Sequence, residues 1–295
     1  MLDKNKGVVI ALGYFDCLHL GHLSVIDKAK QVAQQLNANT VVFTFESDLP
    51  FKANGENLGS VYTLVERKDF LQSYGVDHVF CAPVTKEFLS LTATEFLQRI
   101  NNEYKILAYC SGQDYRFGYQ GSGNVATLQQ FANANAQKVY TLPDFIFEGQ
   151  KVSTSKIKSL LINGSVDKAN ALLGRPYQIT GEVFSDRKVG SKIGFPTANI
   201  TIDNGKFPLK NGVYSGKTIV DGITYKAVIN YGARPTFDLN KILIETHIID
   251  FTGNLYGKQL TISFTKYLRQ VQKFESVEHL RQAIQKDVEK VKAND

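Results

Sequence analysis

Short β-branched apolar runs take turns with amphipathic stretches through the first half of this chain. VVIAL (8–12) gives way to residues 22–37, where Leu23, Ile26, Ala29, Ala33 and Leu36 fall on one helical face. TVVFTF (40–45) is followed by a helical stretch at 64–73, HVFCAPV (78–84) by one at 94–101, and KILAYC (105–110) by one at 125–132. KVYTLPDF (138–145) ends the series. A strand that is always followed by a helix leads to a parallel sheet, because the helix carries the chain back to the edge it left. The expected class is α/β, with a doubly wound, Rossmann-like sheet that receives ligands at the carboxyl ends of its strands.

From residue 152 the pattern changes. VSTSKIKSLL (152–161) and SVDKANALLG (165–174) read as two short helices, the second stopped by Gly174. The chain then becomes β-rich. GVYSGKTIV and ITYKAVINYG flank Asp221-Gly222, a hairpin signal, and ILIETHIIDF and QLTISFTKYL follow. Ser276 suits the N-cap of a final helix carrying Leu280, Ile284 and Val288 on one face. Several strands and one helix predict a small antiparallel barrel with a terminal helix. The expected domains are 1–173 and 174–295, without internal repeats.

Composition narrows the setting. An apolar content of 43% with 21% charged residues is ordinary for a globular protein. No apolar run reaches the roughly 18 residues of a membrane span, and VVIAL is too short for a signal sequence. The cysteines, Cys17, Cys81 and Cys110, form no C-x-x-C pair, which argues for reduced thiols and a cytoplasmic protein. The net charge of +6 is spread along the chain, so it favours anionic metabolites such as ATP at least as much as nucleic acid.

GYFDCLHLGH (13–22) lies where the first strand meets the first helix, a junction of free backbone N–H groups and a helix dipole that suits a phosphate. Gly13 and Gly21 allow close approach of backbone to ligand. Three readings of His19 and His22 stay open: phosphate contacts, a zinc pair with Cys17 or Asp16 nearby, and space-filling core residues. GQDYRFG (112–118) offers Asp114 and Arg116, which equally form a surface ion pair. In VSTSKIK (152–158), the hydroxyls of Ser153, Thr154 and Ser155 with Lys156 and Lys158 suit either a phosphate or a capped helix with solvated lysines. In GFPTANI (194–200), Thr197 and Asn199 offer oxygens to a hard cation, or form a polar turn after proline. Glu245, read alone, is a strand residue at a surface.

His19-Leu20-Gly21-His22 resembles the H-x-G-H signature of the nucleotidyltransferase superfamily. With Gly13, Phe15 and Asp16 before it, the stretch resembles the prokaryotic bifunctional riboflavin kinase/FMN adenylyltransferase (FAD synthetase) family. GQDYRFG, VSTSKIK, GRPYQITGEV, GFPTANI, NYGARPTF (230–237), ILIETHIIDF and LRQVQKFESVEHL (268–280) match that family in order along nearly the whole chain.

The resemblance implies two activities: ATP-dependent phosphorylation of riboflavin to FMN in the second domain, and adenylylation of FMN to FAD in the first. It assigns His19 and His22 to ATP phosphates, with Gly13, Phe15, Asp16, Gly21, Asp114, Arg116, Ser153, Thr154, Ser155 and Lys158 around the nucleotide. It assigns Thr197 and Asn199 to Mg²⁺ and phosphates, with Gly194 in the same loop, and Glu245 to the catalytic base. Arg234 and Phe274 fall in its remaining substrate-binding segments. The implied partners are small molecules only, acting on a monomer or weak homo-oligomer with no membrane attachment. There is no P-loop, so other loops handle ATP.

The chain departs from the family at Cys17, at 46–50, at Lys158 and at Ser191. Alternatives are loss of one activity, a flavin-sensing or RNA-binding regulator, or transfer to another phosphate such as one of pantetheine or nicotinamide.

Overall fold

A computed structural model describes residues 6–46, 52–53, 56–185, 190, 193–202, 205–233 and 242–293. Arg234, Ser191 and residues 47–50 lie outside them. The chain forms two compact units, Met1–Thr154 and Ser155–Asp295.

In the first unit, β1 (Val8–Leu12), α1 (Leu20–Leu36), β2 (Asn39–Phe45), a small hairpin of β3 (Lys52–Ala53) and β4 (Glu56–Asn57), α2 (Leu64–Ser73) and β5 (His78–Ala82) come first. Then follow α3 (Lys86–Leu89), α4 (Ala93–Glu103), β6 (Ile106–Gly112), α5 (Val125–Ala134), β7 (Lys138–Leu142) and a hairpin of β8 (Ile146–Phe147) and β9 (Gln150–Lys151). The main sheet has the order β5-β2-β1-β6-β7, with every pairing parallel. The chain winds outward from β1 on one side, then returns to β6 on the other.

Helices cover both faces, so β1 is buried throughout. Val8, Ile10 and Leu12 pack into one core with Phe43 and Phe96, while Val9 and Ala11 pack into the other with Ile26 and Val32. Capping boxes start α2 at Thr63/Glu66 and α4 at Thr92/Glu95. Strand β5 stops at Ala82, short of the expected residue 84, because Pro83 brings no N–H to a ladder.

Helix α6 (Thr154–Ile162), which starts at the last residue of the first unit, and α7 (Val166–Leu173) precede the barrel of the second. Gly174 ends α7 in the left-handed conformation, φ 74°. Strands β10 (Tyr177–Phe184), β11 (Ala198–Thr201), β12 (Gly212–Val220), β13 (Ile223–Ala233), β14 (Ile242–Ile248) and β15 (Gln259–Arg269) close in the order β10-β11-β14-β13-β12-β15. The last helix, α8 (Val277–Ala293), packs against β13.

The barrel is filled by aromatic rings, with Tyr177, Tyr214, Tyr231 and Phe264 fully buried. Their hydroxyls find backbone partners in one segment: Tyr177 donates to Phe207 O, Tyr214 donates to Lys210 O, and Tyr231 accepts from Leu209 N–H. No described helix is long and apolar enough to cross a membrane.

Candidate active sites

The order of the parallel sheet reverses between β1 and β6, and the crevice beyond their carboxyl ends is where such sheets take ligands. The loops leaving these strands are 13–19 and 113–124. The first loop is tightly wound. Phe15 and Leu18 hold φ of 53° and 46°, a costly conformation for side chains of that size, and both are buried. A Cβ on Gly13 would lie 2.8 Å from the Phe15 ring, so the turn needs glycine there.

His19 is the N-cap of α1, with its Nδ1 accepting the His22 backbone N–H at 3.1 Å. This side-chain cap starts the helix two residues before its apolar spacing does. The imidazoles of His19 and His22 stack at 3.7 Å, and the Phe15 ring meets His22 edge-on at 5.3 Å. Gly21 leaves room for that pair, since a Cβ there would sit 3.2 Å from the His19 ring and from Phe145 Cβ. The two histidines therefore present one compact surface at a helix N-terminus. Among the described residues no group of three or more His, Cys, Asp or Glu is arranged to hold a metal ion.

Asp16 is buried and turned inward, its Oδ1 accepting the Val61 N–H at 2.8 Å. Cys17 is also fully buried. Asp114 is exposed and pairs with Lys151 at 2.9 Å, which also reaches Asp144 at 2.8 Å. That bond chiefly holds the Asp144 carboxyl below its usual range. Arg116 instead lines a cavity of about 300 Å³ with Gly13, Phe43, Phe96, Tyr115 and Phe117. This cavity joins the two loops, and its aromatic walls suit a flat heteroaromatic ring. Sequence reading missed it, although the period-two spacing of Phe43 and Phe45 on β2 was a visible signal.

Ser153 immediately precedes α6, and Thr154 and Ser155 are its first residues. Lys158 is buried within the second unit, its ammonium 5.1 Å from the Phe207 ring centre.

The second unit carries a cavity of about 450 Å³ on the outer wall of its barrel. In an antiparallel ladder, residues directly opposite share a face. Glu245 on β14 is opposite both Asn199 on β11 and Asn230 on β13. Asn230 is opposite Val213 on β12, which is opposite Arg269 on β15. One row of side chains thus runs outward across five strands, and α8 covers part of it.

Thr197, Glu245 and Phe274, all expected site residues, line this cavity together, with Phe195, Val228 and Ile284 among its apolar walls. Asn199 sits beside them with its Oδ1 buried and lacking a hydrogen-bond partner among the described residues. Gly194 lies at φ 87° in the loop leading to Thr197. Asn230, His247, Arg269 and Asp287 are among the other residues that line the cavity. Asn230 donates its amide to Glu245 Oε2 at 3.0 Å, and His247 Nδ1 lies 2.9 Å from Pro196 O, which makes Nδ1 the protonated nitrogen.

The FAD synthetase family profile matches residues 2–156, and the riboflavin kinase profile matches residues 173–294. A Haemophilus influenzae protein described as bifunctional riboflavin kinase/FMN adenylyltransferase is 34% identical over 98% of this chain and 94% of its own length. A Bacillus subtilis protein of the same description is 32% identical over 97% of this chain and 92% of its own. A crystal structure described as a macrolide-efflux protein from Streptococcus pneumoniae superposes with a TM-score of 0.90 at 26% identity, covering 100% of this chain and 96% of the other.

Proposed function

The chain belongs to the bifunctional riboflavin kinase/FMN adenylyltransferase family, and we infer from the two sites how it makes FMN and FAD. Riboflavin phosphorylation belongs to the barrel cavity. The terminal ribityl oxygen attacks the γ-phosphorus of ATP, its proton passes to Glu245, and the bond to ADP breaks. The observation that carries this reading is that Glu245 and Thr197 face one cavity, beside the buried Asn199 amide.

The donor set fits Mg²⁺. The Asn199 Oδ1, without a hydrogen-bond partner among the described residues, and the Thr197 hydroxyl are neutral oxygens, which a hard cation accepts when phosphates supply the charge. Bound there, the ion would neutralise charge on the β- and γ-phosphates. Phe274 and the apolar wall would hold the isoalloxazine ring and exclude water from the transferring phosphoryl group.

Adenylylation belongs to the first unit. A phosphate oxygen of FMN attacks the α-phosphorus of ATP and pyrophosphate leaves, so no protein nucleophile is required. His19 and His22 stabilise the charge that builds on phosphorus, and the N-terminus of α1 adds its dipole. Gly13 and Gly21 let backbone approach the nucleotide. The aromatic cavity bounded by Arg116 takes the FMN ring, and Ser153 and Thr154 offer hydroxyls to the nucleotide phosphates. The buried setting of Asp16 favours a part in shaping the loop that carries the site, whereas that of Lys158 favours packing within the second unit.

We set the division of labour at 1–173 and 174–295; the start of the riboflavin kinase match at 173 supports it, while the compact units divide earlier, between Thr154 and Ser155. We take the protein to work in the cytoplasm as a monomer or weak homo-oligomer; its described cysteines are free, and each proposed site is built from one copy. Purified protein given riboflavin, ATP and Mg²⁺ is expected to yield FMN and then FAD by chromatography. Absence of both products would refute the reading.

A further inference from the structure

Asn230 is placed where it does more than fill the barrel wall. It stands directly opposite Glu245 in the β13–β14 ladder, so the two side chains leave the sheet on one face. Its amide donates to Glu245 Oε2 at 3.0 Å, which fixes the rotation of the carboxylate. The other end of the same amide, Oδ1, is buried with no hydrogen-bond partner among the described residues, although the side chain lines the cavity. A buried carbonyl oxygen left without a donor is destabilising, so a ligand hydroxyl that meets it is strongly preferred.

We propose that Asn230 is a positioning and specificity residue of the kinase site: its N–H orients Glu245, and its Oδ1 accepts a hydrogen bond from the ribityl hydroxyl next to the one that reacts. The placement supports this: both residues line the same cavity from opposite positions on adjoining strands, so one polyol chain lying along that wall meets both. A polyol can thus offer one hydroxyl to each residue, whereas a flavin side chain lacking the inner hydroxyl leaves Oδ1 unsatisfied. The inference rests on the riboflavin kinase reading and adds how the site recognises the sugar-alcohol chain.

The test is steady-state phosphorylation of riboflavin and of 4′-deoxyriboflavin by the full-length protein and two variants. The wild type should prefer riboflavin by roughly ten- to a hundredfold in kcat/KM, the worth of one buried hydrogen bond. Asn230→Leu should treat the two flavins alike within about twofold and lose kcat, because both amide functions are gone. Asn230→Asp keeps an acceptor oxygen but loses the N–H, so it should retain the preference and still lose kcat by roughly tenfold or more.

Wild-type preference in Asn230→Leu, or wild-type kcat in Asn230→Asp, overturns the proposal. Should Asn230→Leu melt early or fail to adenylate supplied FMN, the isosteric Asn230→Asp decides the matter through its kcat. A wild type that makes no FMN sinks the kinase reading and this inference together. A wild type that makes FMN without preferring riboflavin sinks this inference alone.

Discussion

The Arg269 guanidinium forks over the Asp287 carboxylate, with Nη2 at 2.7 Å and Nε at 2.9 Å from Oδ2. It ties the end of β15 to the middle of α8, and the guanidinium also lies 5.8 Å from the Phe274 ring centre. The pair therefore holds the helix that covers the barrel cavity and supports the aromatic residue assigned to the flavin.

Asp287 is only 2% exposed, so removing its partner leaves a buried charge uncompensated. Arg269→Ala should cost about 3–5 kcal/mol in the unfolding of the second unit. It should also raise KM for riboflavin by about tenfold, while adenylation of supplied FMN persists. Denaturant melts and the two assays check this, and an unchanged melt would show that the pair is not what secures α8.

Gly118 lies between the aromatic cavity and α4, at φ 72°, where a Cβ would come 2.7 Å from the Ala93 nitrogen. Gly118→Ala therefore meets both backbone strain and a clash with a helix start that cannot move without losing its cap. A loss of at least about 2 kcal/mol from the first unit is expected, with reduced FAD formation. Melting and FAD formation at wild-type values would show that the loop can rearrange freely.

Stability should fall at alkaline pH. Burial pushes the Cys110 thiol and the Tyr109 and Tyr231 hydroxyls up to about 12. Folding thus keeps them protonated, while the unfolded chain releases their protons from pH about 8.5 for the thiol and about 10 for the phenols. The unfolded state binds fewer protons in that window, so stability declines as pH rises through it. The benefit is fully present below the unfolded values and lost once the folded groups titrate near 12. Urea midpoints from pH 7 to 11.5 check this, and a flat profile would contradict it.

Asn199→Leu keeps the volume of the side chain and removes the buried oxygen assigned to the cation. The Mg²⁺ concentration for half-maximal FMN formation should rise by roughly tenfold, with no change in the Mg²⁺ response of FAD formation from FMN. Chelation should stop FMN formation in both proteins. Equal Mg²⁺ curves for variant and wild type would remove Asn199 from the metal site.

Much of the fold was legible because it is locally encoded. The β1 run VVIAL and the Leu23, Ile26, Ala29, Ala33 face announce a strand and its crossover helix, and these set the parallel sheet. Asp221-Gly222 announces the β12–β13 hairpin. The start of α1 was misjudged because a side-chain cap, His19, leaves no periodic trace. Strands β10 and β11 were not expected, since β11 is only 4 residues long and both are recognised as strands by partners distant in sequence.

The sites divide the same way. His19 and His22 lie on adjoining turns of chain, so spacing brings them to notice; Glu245 alone looks like any strand carboxylate. Asn230, Arg269 and Asp287 join Glu245 only when the barrel closes and α8 docks, and no local pattern encodes that meeting. The inward turn of Asp16 and the packing of Lys158 on Phe207 are likewise products of tertiary contact.

The central claim is that two separate sites act in sequence, and a mixing experiment tests it most directly. Glu245→Gln should leave riboflavin unconverted, with FMN formation down by roughly 10²–10⁴-fold, yet adenylate supplied FMN. His22→Ala should make FMN from riboflavin and stop there. Mixed together with riboflavin, ATP and Mg²⁺, the two variants should produce FAD that neither makes alone. Loss of both activities in either folded variant, or a mixture that yields no FAD, would contradict the account.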